Sequence, residues 1–338
     1  MKRLCVLLLF AVCACSAGKA EIDYSLSRGI IWPGPPEKPR IAYLWSMSRV
    51  YQGSSPVVQP GQWPAADLAD AGDSGLLVSP RGVCVDGKDR LYIADPGVGR
   101  VIWVNLKTLE SGYFTSAGPS DMAYPLSVAA GGDGKIYVSD PDLRRVFALD
   151  EKGNYLFDLK GPFLRPTGLA VDQGRGLVYV VDTWAHKIFV FGLSGNEIRK
   201  MGRRGSGNGE LNFPTYAAVG ADGTLYVADT GNFRVQMFAP DGSFKGAFGA
   251  IGDSFRDFEK IKGIAVSKQG YIYVADSGQD MIKIFDNKGR LLMFFGRKGP
   301  YYGQFSLPSG IFVDGQDRIF VSDSLNARIQ AFKFLGGN

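Results

Sequence analysis

Six aspartates close near-identical apolar runs: Asp95 in LYIAD, Asp140 in IYVSD, Asp182 in VYVVD, Asp229 in LYVAD, Asp276 in IYVAD and Asp323 in IFVSD. Carboxylates at matching positions suit general acid–base work or a hard cation. Their spacing argues for a different role. They stand 45, 42, 47, 47 and 47 residues apart, and a period in that range marks propeller blades or another stacked array. A ring needs every copy, whereas a reaction needs one asymmetric place, so the repeated acids are predicted to be structural. An Asp ending a strand accepts backbone N–H bonds from the turn that follows. Five copies carry a cation five residues later, at Arg100, Arg145, Lys187, Arg234 and Arg328, placed to brace that turn; the Asp276 copy has Met281 instead.

Other chemistry-bearing residues are few. His186, the only histidine, follows Asp182 in TWAHK. It reads as a solvent-exposed loop residue, with a pH-responsive ligand contact as the sharper alternative. Cys84 is the one cysteine inside the repeats, so no internal disulfide is expected. One histidine and one cysteine cannot build a three-histidine or sulfur-rich zinc site. Asp86, Asp172 and Asp314 fall in hairpin turns, where a turn role is expected rather than calcium ligation. No G-x-S-x-G elbow or P-loop pattern appears. No catalytic residue, metal or cofactor is therefore predicted.

The elements that carry these residues are short strands. The 45 Gly and 18 Pro supply frequent turns. LYVAD is apolar at successive positions, as a strand packed on both faces requires. Small residues such as Gly168, Ala170, Ala217, Ala218, Gly263 and Ala265 suit an innermost strand near an axis. Each unit thus reads as four strands, except the last, which has three. The orphan run Ile41 to Trp45 is expected to supply the missing strand, which removes an exposed sheet edge.

Pro-x-Gly-Ile-Ala-Val-Asp, then Leu-Tyr-Val-Ala-Asp, then Asn-x-Arg-Val/Ile-Gln-x-Phe resembles the NHL repeat, best matched by Phe213 to Phe238 and Leu307 to Phe332. The resemblance covers residues 80 to 333. It implies an all-β, six-bladed β-propeller of four-stranded antiparallel blades, closed by an N-terminal strand pairing with the last blade. The expected divisions are a signal peptide at 1–14, a lipidated N-terminus and Pro-rich tether at 15–39, the closing strand at 40–46, a long loop at 47–78 and the propeller at 79–333. Peptide-amidating lyases that resemble this chain in outline hold zinc with several histidines, which this chain lacks.

Lys2 and Arg3, the apolar run from Leu4 and the small residues at Ala14 to Ala17 form a secretory signal too short to span a membrane. Val12-Cys13-Ala14-Cys15 resembles the bacterial lipobox, which makes Cys15 the lipidated residue; cleavage after Ala17 or Ala20 would instead release a soluble protein. The expected location is the outer membrane facing the periplasm, or the periplasm or exterior without lipid. Loss of Lys2 and Arg3 lowers the net charge from +5 to +3, a weak bias that does not argue for nucleic acid. What remains is recognition by the loops. The candidate binding face comprises Arg144, Trp184, His186, Arg203, Arg204, Phe233, Tyr301 and Tyr302, aromatic and basic types that anchor interfaces. The partner is expected to be an envelope protein, peptide or glycan, captured by a monomeric ring. The alternative is an envelope hydrolase or lyase with a divalent cation near the ring axis.

Overall fold

The computed structural model describes residues 18–25, 27, 29–34, 36–38, 40–51 and 75–336. Three strands precede the repeats: β1 (Gly18–Asp23), β2 (Ile31–Trp32) and β3 (Ile41–Tyr51). Unit one follows with β4 (Val83–Val85), β5 (Arg90–Asp95), β6 (Arg100–Asn105) and β7 (Glu110–Phe114), trailed by a small hairpin of β8 (Ser116–Ala117) and β9 (Ser120–Asp121). Unit two has β10 (Ser127–Ala130), β11 (Ile136–Asp140), β12 (Arg145–Leu149) and β13 (Tyr155–Asp158). Unit three has β14 (Pro166–Asp172), β15 (Leu177–Asp182), β16 (Lys187–Gly192) and β17 (Glu197–Met201). Unit four has β18 (Ala217–Val219), β19 (Leu225–Asp229), β20 (Arg234–Phe238) and β21 (Phe244–Phe248). Unit five has β22 (Ile261–Val266), β23 (Ile272–Asp276), β24 (Met281–Phe285) and β25 (Leu291–Phe295). The last unit has β26 (Pro308–Val313), β27 (Arg318–Asp323) and β28 (Arg328–Phe334).

The architecture is an all-β propeller. Units two to five are separate four-stranded antiparallel sheets, β8 and β9 form a two-stranded sheet of their own, and the other ten strands form one sheet in the order β26-β27-β28-β3-β1-β7-β6-β5-β4, with β2 on β3. Strand burial follows position in the unit. The second strands β11, β19 and β23 are buried along their whole length, while β21 alternates between half-buried and exposed. Apolar layers lie between successive units. Leu169 and Val178 pack with Ala129 and Tyr137, and Trp45, Phe320 and Ile329 pack with Val83 and Leu91, linking the last unit to the first.

At the axis the backbones nearly touch. A Cβ on Gly82 would lie 2.6 Å from Ser127 Cα, and one on Gly168 2.5 Å from the Thr215 carbonyl oxygen. One on Gly263 would lie 2.3 Å from the Ser309 oxygen, and one on Gly310 2.0 Å from the Arg81 oxygen. The glycine of Pro-x-Gly is therefore required by close packing between neighbouring units. The first strands contact one another in the cycle β4, β10, β14, β18, β22, β26 and back to β4.

The N-terminal segment departs from expectation. The Pro-rich stretch within 15–39 is not a free tether: β1 pairs with both β3 and β7, and β2 pairs with β3. The physical reason is burial, since Trp32 packs 5.5 Å from Phe295 and 5.8 Å from Phe332, centroid to centroid. β3 pairs with β28 from Ile329↔Met47 to Phe334↔Ile41. It also runs on to Tyr51, so residues 47–51 belong to the sheet rather than to a loop, and Leu76 bridges to Arg49. The signal segment, Cys15 and residues 52–74 lie outside the described residues.

Candidate functional site

Each second strand ends, and each first strand begins, on one face of the ring, which therefore holds the loops between second and third strands together with the inter-unit linkers. All six repeated aspartates lie there and are fully buried. Their carboxylates accept backbone amides from the linker 16 to 18 residues upstream: Val78 and Ser79 onto Asp95, Ala123 and Tyr124 onto Asp140, Leu164 and Arg165 onto Asp182. Asn212 donates to Asp229 at 2.7 Å, Glu259 and Lys260 to Asp276, and Ser306 to Asp323 at 2.7 Å. Amides of the following turn add to this at Gly97, Asp142 and Ala185. Each acid thus clamps linker to blade, a wider role than the turn brace expected. Burial pushes the Asp95 and Asp323 carboxyls above the ordinary range, against the pull of amide bonds and nearby arginines.

The cation expected five residues after the acid pairs with it in units four and six. Arg234 and Arg328 pair with Asp229 and Asp323 at 2.9 and 2.8 Å. Arg145 turns instead to Asp158 at 2.8 Å, and Arg100 donates to the Leu76 carbonyl. The position seven residues on was missed. Gln236 and Gln330 donate to the same acids at 2.9 Å, and Lys283, fully buried, pairs with Asp276 at 2.9 Å. Lys283 thereby supplies the charge that Met281 withholds.

His186 is buried, not solvent-exposed. Its Nδ1 accepts the Phe213 amide at 3.1 Å, and its ring lies 4.5 Å from that of Phe213. Asp280 occupies the corresponding place in unit five and accepts the Leu307 amide at 2.7 Å. Both residues have positive φ, 52° each. His186 is thus an inter-unit clamp that works only as neutral imidazole. Burial, helped by the Arg204 charge, lowers its pKa.

The other candidate residues divide. Arg144, Arg203, Arg204, Trp184 and Tyr301 are exposed, although Arg203 pairs with Glu210 at 2.9 Å. Phe233 is half-buried. The Tyr302 hydroxyl donates to Asp23, which ties β1 to the last unit and removes that hydroxyl from ligand contact. The Arg165 guanidinium lies 5.1 Å from the Trp184 ring centroid, a cation–π contact that leads inward to the axis.

At the axis the residues at the place of x in Pro-x-Gly are Arg81, Leu126, Thr167, Thr215, Lys262 and Ser309, although units two and four lack the Gly and unit five the Pro. They are threaded by bonds from Thr167 to the Thr215 carbonyl, from Thr215 to the Lys262 carbonyl and from Arg81 to Ser309 Oγ. Below this ring lies a cavity of about 150 Å³ walled by the first strands, including Val83, Val128, Leu169, Tyr216 and Ile311. The Lys262 ammonium makes no hydrogen bond or ion pair among the described residues. Burial, then the charges of Lys260, Arg81 and Arg165, bring its pKa down to about 8. Sequence reasoning missed Arg81 and Lys262. The signal was available: two copies of one motif place a cation where the others have an apolar or hydroxyl residue. No group of three or more His, Cys, Asp or Glu side chains among the described residues is placed to hold a metal ion. No helix among them is long and apolar enough to cross a membrane.

The NHL repeat profile matches residues 163–191 and 211–238. No curated protein matches the chain. Among solved structures, a streptogramin B lyase is similar at 12% identity and TM-score 0.58, over 76% of this chain and 93% of that one. A selenomethionine-substituted virginiamycin B lyase from Staphylococcus aureus is similar at 15% identity and TM-score 0.57, over 76% and 96%. Hydrazine synthase from Kuenenia stuttgartiensis is similar at 12% identity and TM-score 0.55, over 81% and 98%. At such identities the likeness shows the fold alone.

Proposed function

We propose that this chain is an exported, lipid-anchored propeller of six blades that serves as a non-enzymatic binding scaffold at the cell envelope. One observation carries the reading: the repeated acids are occupied by amide and side-chain donors, while Trp184, Arg204 and Tyr301 on the same face stay exposed. Aromatic and arginine side chains on loops of a rigid ring are suited to anchoring a partner, here an envelope protein, peptide or glycan. The closed cycle of six first strands supports the blade count. The basic leader, its short apolar run and Cys15 support export and anchoring. The alternative of a hydrolase or lyase with a divalent cation near the axis is disfavoured, because Arg81 and Lys262 occupy that place and repel a metal ion.

Two experiments test this reading. Joint substitution Trp184→Ala and Arg204→Ala should weaken crosslinked capture of envelope partners about tenfold while the thermal midpoint holds; undiminished capture overturns the binding face. Cys15→Ser should move the protein from membrane to soluble fractions, and unchanged fractionation would refute the anchor.

A further inference from the structure

We propose that the axial mouth binds a small oxyanion, the carboxylate or phosphate end of a ligand, between Arg81 and Lys262, with the Tyr216 hydroxyl as a further donor. The proposal deepens the reading as a binding protein by adding a site distinct from the outer loops. Two buried donors without partners, on Arg81 and Tyr216, and the half-buried Lys262 ammonium lie near enough for the Arg81 charge to act on both of the others. Arg81 spends one terminal nitrogen on Ser309 Oγ at 2.9 Å, but its buried Nε has no partner. The Tyr216 hydroxyl, on a residue 9% exposed that lines the cavity, also has none. The charges acting on the Lys262 ammonium are all positive: its own neighbour Lys260, Arg81 from unit one and Arg165 from unit three.

A buried donor without an acceptor costs about 1–3 kcal/mol, and more if charged. Two such donors beside a third, half-buried cation are not accounted for by packing alone. The four cations have little local counter-charge, since the one ion pair among them joins Arg165 to Asp142 at a long 3.9 Å. An oxyanion would satisfy the guanidinium, ammonium and phenol together, through charge-assisted bonds. The apolar walls beneath the mouth, such as Val128, Leu169 and Ile311, suit a short aliphatic tail on that anion. Units two and four place Ser127 and Tyr216 where the other four have glycine, and these side chains project at the most crowded level of the ring.

The purified full chain should be titrated calorimetrically with inorganic phosphate and, separately, with hexanoate, at constant ionic strength in chloride. A single saturable site in either arm is expected; phosphate alone would identify a phosphate group, and hexanoate alone a carboxylate with an apolar tail. The double variant Arg81→Gln, Lys262→Met should bind at least about tenfold more weakly, and Lys262→Arg should retain binding, which guards against a folding defect. Bound anion should also slow acylation of Lys262 by an amine-reactive label. No saturable binding in either arm, or equal binding by the double variant, would overturn the proposal. Persistence of Trp184-dependent partner capture in that event would leave the scaffold reading standing.

Discussion

The Asp229 clamp and the Lys262 mouth lie on the same face of the ring, one holding a charge fully and the other partly out of water. Asp229 is met by Asn212 N, Asn232 Nδ2, Arg234 Nε and Gln236 Nε2, all within 2.9 Å. Lys262, half-buried, feels the charges of Lys260, Arg81 and Arg165, and its ammonium has no hydrogen-bond or ion-pair partner among the described residues. A buried charge whose partners are complete holds structure together, because removing one partner strands the rest. A half-buried charge without partners weakens the fold, and such perturbed groups cluster where a ligand completes them. The difference separates construction from recognition in a molecule whose six units otherwise look alike.

The sharpest way to break this contrast is to remove the clamp. Asp229→Ala takes the acceptor from Arg234 Nε and the Asn212 amide and one bond from Gln236, leaving the Arg234 charge without its carboxylate, and should lower the unfolding free energy by about 3–5 kcal/mol in urea titrations. A loss below 1 kcal/mol would mean the clamp is dispensable. Lys262→Met should act in the opposite direction, raising the thermal midpoint at neutral pH by roughly 2–4 °C. The sign follows from the lowered pKa: between about 8 and 10.5 the unfolded chain holds a proton that the folded chain has released. Wild-type stability therefore gains with pH across that window relative to the variant, and the gap between the two closes. A destabilised Lys262→Met protein would show that the ammonium supports the fold.

The smallest effect concerns His186. Its folded pKa lies below the ordinary 6.5, so its contribution is complete above that pH and falls as the solution is acidified through it. His186→Asp copies the acceptor that Asp280 provides in unit five. It should keep the unfolding free energy within about 1 kcal/mol of wild type, the scale of one hydrogen bond, and flatten this pH dependence. An unchanged pH profile would place the titrating group elsewhere.

Much of the fold was legible because ring construction repeats. The period, the apolar second strands and the glycine of Pro-x-Gly each recur, and a recurring constraint rises above the ambiguity of any single strand. The clamps were half legible. Asp229 and Arg234 stand five residues apart in one hairpin, so their pairing could be anticipated, whereas Arg145 has the same spacing from Asp140 and chose Asp158 on the next strand. His186 was misplaced because a polar residue in a loop reads as exposed, and nothing local indicates that the Phe213 amide, 27 residues on, closes over it. Trp32 was similarly hidden within a Pro-rich stretch whose composition suggested a tether.

By itself the sequence determined the repeating strand plan, the burial of the repeated acids' neighbours and the shortage of zinc ligands, because these depend on residue type and period within one unit. Only the tertiary structure decided what meets at the axis. Arg81 and Lys262 are 181 residues apart in the chain, and their mutual repulsion exists only once the ring brings unit one and unit five to a common centre. A charge acquires its partners, or lacks them, through distances that local sequence does not encode.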